Sequence, residues 1–269
     1  MKIQRVTPKH NLLQACREFL SADPVTNVLT LGDLYHPLFN LSEVYAATDN
    51  RKVIGVSSVF HAFSLPTIAI GKAEKPIRRA LLRKALETIS EDFIVLDTID
   101  QTSLYEEYAT TVDSFTEHHM ILTRPKNAKA NSNVKAQKAT KHDLQALNLF
   151  YTEHESPAWN PIQFKTGPYY IAKEKGKIVS AAGIHILTPQ IAQLGNILTD
   201  KAHRRKGYSK ACTQALIKAL SKKTRTIGLF VRTDNTPAIR MYEQMGFRKA
   251  RTLNFLIMRK RPNKKKTAR

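Results

Sequence analysis

The chain has 269 residues, 42% of them hydrophobic, so it can bury a core of substantial size and is not a disordered polymer. Its 43 Lys and Arg against 22 Asp and Glu give a net charge of +21, and two widely separated cysteines, Cys16 and Cys212, argue against a disulfide scaffold or a zinc ribbon. No apolar run reaches membrane-spanning length and the N-terminal stretch has no apolar leader core, so the expectation is a soluble cytoplasmic protein with no metal and no membrane contact.

In chain order, residues 4–20 read as a short strand, a T-P-K-H turn and an amphipathic helix. Residues 44–60 read as a β-hairpin with a polar turn at 49–51. Residues 67–86 carry a lone glycine, Gly71, and Pro76 where a helix begins. Residues 103–122 give a helix with the pair Tyr105-Glu106, then a strand. Residues 124–136 are polar, basic and poor in large apolar side chains, a linker composition.

The same units then recur. Residues 137–151 repeat the strand, T-K-H turn and helix; 169–185 repeat the hairpin, with its turn at 174–176; 240–258 repeat the Tyr-Glu helix and strand. Three matches in the same order predict two domains of one α+β type, each a mixed, mostly antiparallel sheet flanked by helices. The expected boundaries are 1–123, a basic linker at 124–133, a second domain at 134–258 and a disordered basic tail at 259–269. Seven cations and no acids lie in that tail. The rest of the chain remains basic, which suits either a solvated surface or attraction to polyanions such as nucleic acid or a multiply phosphorylated cofactor.

Within the second copy, HRRKGYS at 203–209 sets Gly207 before a helix that starts at Ser209. A helix N-terminus offers unpaired N–H groups and a partial positive charge, and glycine lets a ligand approach the backbone. Arg204, Arg205, Lys206 and Lys210 add full charges there. The stretch reads as a phosphate nest or as an ordinary loop before a basic surface helix. Farther on, Asn235 and Pro237 start a helix, Gly246 ends it, and Phe247 packs back. Tyr242 on its inner face reads as core. Cys212, beside Ala211 on an apolar face, reads as a small core residue.

Arg204-Arg205-Lys206-Gly207-Tyr208-Ser209 resembles the [R/Q]-x-x-G-x-[G/A] pyrophosphate loop of the GNAT superfamily of acyl-CoA-dependent N-acyltransferases, with Ser209 in place of the last small residue. Asn235, Ala238, Tyr242, Gly246 and Phe247 match the family's N-x-x-A-x-x-x-Y-x-x-x-G-F signature. The second half, with a degenerate first copy before it, is most similar to the glycine N-acyltransferase-like branch. The resemblance implies an acetyl-CoA-dependent N-acetyltransferase with acetyl-CoA as cosubstrate. It places the main chain of Ile197, Leu198 and Thr199 along the pantetheine arm and thioester, the loop from Arg204 to Ser209 with Lys210 and Asn235 around the cofactor, and Tyr242 as proton donor to the thiolate.

The family's strand glutamate is missing from IAQLGNILT, where Gln193 accepts no proton at neutral pH. Glu153, His154, Glu155 and His185 are the nearest substitutes. The net charge favours amino acids, acidic peptides or anionic small molecules over lysine-rich tails as amine acceptors. The alternative is a basic nucleic-acid- or ribosome-associated protein on the same scaffold, and the tail suits weak nucleic-acid association.

Overall fold

Both predicted hairpins form by the same local rule. The computed structural model describes residues 1–8, 11–90, 92–123, 134–156 and 158–261. In it Asp49 pairs with Lys52 and Glu174 with Lys177 across two-residue turns, at Asn50-Arg51 and Lys175-Gly176, with φ positive at both central positions. That geometry matches the right-handed strand twist, which is why polar residues and glycine occupy those turns.

The first half contains β1 (Lys2–Arg5), α1 (Asn11–Ser21), α2 (Val28–Gly32), β2 (Ser42–Asp49), β3 (Lys52–Phe60), β4 (Thr67–Ile70), α3 (Lys75–Leu86), β5 (Phe93–Thr98), α4 (Thr102–Glu106) and β6 (Ala109–Thr123). The second half repeats this order: β7 (Gln137–Lys138), α5 (Leu144–Glu153), β8 (Tyr170–Glu174), β9 (Lys177–Leu187), β10 (Ile191–Thr199), α6 (Tyr208–Leu220), β11 (Thr226–Arg232), α7 (Thr236–Gln244) and β12 (Arg248–Lys260). The α+β class read from the sequence is the class of the fold.

The sequence did not indicate how the halves join. Their strands form a single twelve-stranded sheet in the order β1-β2-β3-β4-β5-β12-β6-β11-β10-β9-β8-β7. The last strand of each half is exchanged: β12 pairs with β5 of the first half, and β6 pairs with β11 of the second. The two exchanged strands also pair with each other, antiparallel, from Arg248↔Ile121 to Lys260↔Ala109. Each is long, which lets it serve both neighbours.

One face of the second half's sheet packs Ala192, Leu194, Leu229 and Met120 against α6 and α7. On the opposite face Ile186, Ile191 and Phe230 pack against Val28, Leu31 and Leu34, from α2 and the residues after it in the first half. Cys212 lies fully buried on the inner face of α6, and burial pushes its thiol up to about 12, in keeping with a core residue. The basic tail begins later than the expected residue 259. Arg259 and Lys260 belong to β12; Arg259 pairs with Asp92, and Lys260 Nζ donates to the carbonyls of Leu86 and Ile89. Residues 262–269, like the linker at 124–133, lie outside the described residues.

Candidate functional site

Gly207 is the N-cap of α6, with a φ of 84° in the left-handed region that glycine adopts without a Cβ penalty. Arg205 also has positive φ, 62°. Among the described residues the N–H groups of Arg205, Lys206, Gly207, Tyr208, Ser209 and Lys210 have no acceptor; Ala211, donating to the Gly207 carbonyl at 3.0 Å, is the first to find one. Six consecutive free donors at the start of a thirteen-residue helix are suited to an anion. Arg204, Arg205 and Lys206 are exposed around it and Lys210 is half-buried. None of the four forms a salt bridge among the described residues, although Lys206 lies in the field of Glu174.

The loop is anchored from outside. Tyr208 donates its hydroxyl to Glu174 Oε2 at 2.8 Å, which holds the Glu174 carboxyl below its usual range. His203 lies between that carboxylate, 3.3 Å from its Nε2, and Asp200, bonded to its Nδ1. His154, considered above as a proton acceptor, has its Nδ1 on the Phe150 carbonyl at 2.8 Å and its Nε2 3.4 Å from Asp200. It belongs to this anchor. Glu153 ends α5 and Glu155 follows it.

The parallel strands β10 and β11 pair only from Ile191↔Thr226 to Leu194↔Leu229, although β10 continues to Thr199 and β11 to Arg232. They part at Gly195. At the same point the β9 ladder jumps from Gly195↔Gly183 to Leu198↔Ala181, leaving Asn196, with a φ of 53°, and Ile197 in a bulge. Buried contacts lock it. The Tyr151 hydroxyl donates to the Asn196 carbonyl at 2.6 Å, and Asn196 Nδ2 donates to Gln163 Oε1 at 2.7 Å and Tyr169 Oη at 3.0 Å. Ser180 Oγ takes the Leu198 carbonyl at 3.0 Å, and Arg204 Nε donates to the Thr199 carbonyl at 3.4 Å. The fold thus brings Ile197, Leu198 and Thr199 to one wall of a cleft whose mouth holds the Gly207 loop.

Tyr242 is 6% exposed within the α6–α7 face, packed edge-on to Phe247 with ring centroids 5.8 Å apart. Its hydroxyl has no hydrogen-bond partner among the described residues, and burial raises its pKa well above the ordinary phenol value. It is therefore a neutral donor at physiological pH. Asn235 uses its side chain as a helix cap, accepting from the Ala238 N–H at 3.3 Å.

The opposite face carries further polar residues: His185, named above as a candidate base, Gln193, and two that motif reading missed, His119 and Glu117. His185 lies against Gly195: a Cβ there would come within 2.3 Å of the imidazole. Burial pushes His185 down to about 4 and His119 down to about 3, so both rings are neutral. His119 Nε2 is 3.3 Å from Gln193 Oε1, and Gln193 Nε2 is buried without a partner. Two positions along β6, Glu117 stands opposite Arg232, and burial raises its carboxyl to about 7. His119 and Glu117 come from the first half and lie beside β11 only through strand exchange. Had that been foreseen, a half-buried acid in an alternating strand would have been the signal.

A family model described as FR47-like protein matches residues 173–256, the stretch holding the bulge, the Gly207 loop and Tyr242. No curated relative matches the chain. Among solved structures, a GNAT-family protein from Novosphingobium aromaticivorans aligns over 87% of this chain and 97% of its own, at 17% identity and a TM-score of 0.64. A Drosophila protein aligns over 95% and 98%, at 10% identity and a TM-score of 0.69. A tandem GNAT protein from the clavulanic acid biosynthesis pathway aligns over 97% and 99%, at 13% identity and a TM-score of 0.65. The chain has the fold of the GNAT acetyltransferases, in a two-unit form.

Proposed function

We propose that the chain is an N-acetyltransferase that moves the acetyl group of acetyl-CoA to a primary amine in the β10–β11 cleft. The observation that carries this reading is the run of six unpaired N–H groups around Gly207, at the mouth of two parallel strands that part beside a locked bulge. The residues present suit the cosubstrate: amides and cations for its diphosphate, and the β10 main chain along Ile197, Leu198 and Thr199 for its pantetheine arm. Acetyl-CoA supplies an acyl group activated as a thioester.

The protein's part follows from side chains on the two faces. Tyr242, kept protonated by burial, donates to the departing sulfur from the α7 side. Glu117, raised towards neutrality on the other face, takes the proton that the amine must lose before it attacks. Burial of Gln193 and the packing of first-half residues against Phe230 exclude water on the Glu117 face and strengthen the interaction there. The first unit, 1–123, serves as a degenerate copy that walls the acceptor side and lends Glu117. The net charge of +21 favours anionic acceptors, amino acids or acidic peptides, over cationic ones.

The test is acetyl-CoA-dependent thiol release by the full chain across amino acids, acidic peptides, polyamines and lysine-rich peptides. Turnover with an anionic amine is expected. Failure to bind acetyl-CoA, or turnover with no amine in the panel, overturns the reading.

A further inference from the structure

We propose that Glu174 is the positioning residue of the Gly207 loop: one of its carboxylate oxygens holds both ends of the loop, through Tyr208 on one side and a proton-dependent contact to His203 on the other. The inference rests on the reading of that loop as the diphosphate site.

The loop leaves the short turn Lys201–His203 and enters α6 at Tyr208, so His203 and Tyr208 bracket residues 204–207. Both brackets converge on Glu174 Oε2. The Tyr208 hydroxyl donates to it at 2.8 Å, and His203 Nε2 lies 3.3 Å from it. The two rings meet edge-on, with centroids 6.1 Å apart. Between them Arg205 and Gly207 take left-handed φ values of 62° and 84°. For Arg205 that conformation costs energy and persists only where the surroundings enforce it. Glu174 stands at the end of β8, opposite Lys177 across a two-residue turn, so the hairpin sets its place.

A carboxylate here is otherwise a cost. It lies against a loop suited to an anion, and Lys175 and Lys206 act on it from its own turn and from the loop. By charge alone, removing it would tighten anion binding. The clamp predicts the reverse.

His203 faces carboxylates on both sides. Its Nδ1 bonds Asp200, whose other oxygen lies 3.4 Å from His154 Nε2 at the end of α5. The Tyr208 hydrogen bond holds the Glu174 carboxyl below its usual range, and the His203 contact does the same for Asp200, so both are ionised acceptors. Only a doubly protonated ring donates to both. A neutral ring has one N–H. Kept on Nδ1 at Asp200, it turns the Nε2 lone pair towards Glu174, and the His203 end of the clamp opens.

Calorimetry on the full chain would measure acetyl-CoA, and sodium pyrophosphate as a probe of the anion site alone, at about pH 6 and pH 8, on either side of the ordinary imidazole range. Ratios to wild type at each pH cancel the titration of the ligands. Glu174→Gln keeps the side chain's size and removes its charge; Tyr208→Phe removes one hydrogen bond without changing charge. Glu174→Gln is expected to weaken both ligands about 10-fold at the lower pH and about 3-fold at the higher, where only the Tyr208 contact remains to be lost. Tyr208→Phe should weaken both about 3-fold at either pH. In a His203→Gln background the pH difference should vanish. The proposal fails if Glu174→Gln binds as tightly as wild type or more tightly, or if its penalty is the same at both pH values. A wild type that binds pyrophosphate but not acetyl-CoA overturns the acetyltransferase reading, and the clamp then stands or falls on the pyrophosphate ratios; binding of neither overturns both.

Discussion

Replacing Gly207 by Asp or by Asn separates the electrostatic role of the loop from its backbone geometry. Both side chains are nearly the same size and both tolerate the left-handed region better than other residues, so the strain at φ 84° is common to the pair. Unit charges 4 Å apart repel by about 1 kcal/mol in water and about 4 kcal/mol at an effective dielectric of 20. The loop is exposed, which favours the lower part of that range, but a diphosphate doubles the charge. The carboxylate should therefore weaken acetyl-CoA by ~2–4 kcal/mol more than the amide does, a ratio of roughly 30- to 1000-fold in Kd. Calorimetric titration of both variants measures this, and thermal melts should keep them within about 4 °C of wild type. Wild type should show one site per chain. Equal affinity in the Asp and Asn variants, or two acetyl-CoA sites per chain, would refute the assignment of the diphosphate to this loop.

Tyr242→Phe should lower kcat by about 10²-fold with little change in KM for acetyl-CoA, because its hydroxyl acts only as the C–S bond breaks; full turnover would return Tyr242 to the core. Glu117→Gln should cut kcat by about 10²–10⁴-fold at pH 7.5 and abolish an acidic limb near pH 7; a wild-type pH profile in this variant excludes Glu117 as the base. Asp33 is buried, accepts from Ser58 Oγ at 2.6 Å, and is raised by burial to about 7, so the folded chain holds this proton more tightly than the unfolded one. Its contribution to stability is full below the unfolded pKa near 4 and is lost as pH rises to 7, a cost on the order of 4 kcal/mol that Asp33→Asn should remove; parallel melting-versus-pH curves for the two proteins would contradict this. Deleting residues 262–269, which hold four cations, should weaken any RNA binding the chain shows and flatten its salt slope by up to about 4 while sparing acetyl-CoA, whereas a slope unchanged by truncation would assign that binding to the folded surface.

The local features around Gly207, Asn235 and the hairpin turns could be read from sequence because they depend on local chemistry. A glycine before a basic amphipathic helix, a capping Asn followed by proline, and polar two-residue turns each restrict a few dihedrals, and the structure places all of them as the periodicity predicts. The bulge was less legible. Its sequence, Gly195-Asn196-Ile197, resembles ordinary strand. What holds Asn196 at positive φ is a set of side chains from α5, the following loop and β8's approach: Tyr151, Gln163 and Tyr169. No window around residue 196 contains them.

Strand exchange was not legible at all, because pattern alone does not choose a strand's partner. The stretches 109–123 and 248–260 alternate similarly and follow equivalent Tyr-Glu helices, so each could complete either sheet. Register makes the consequence chemical. With β6 beside β11, Glu117 faces Arg232 and His119 faces Phe230 on the side of the sheet opposite Tyr242. The neighbouring exchanged strand β12 sets Leu253 opposite Glu117 and Arg251 opposite His119. The proposed role of Glu117 links the base missing from IAQLGNILT to the exchanged strand. Under the proposed mechanism the second half can lack an acid on its own strand because the first half supplies Glu117, on one of the strands that join the two copies.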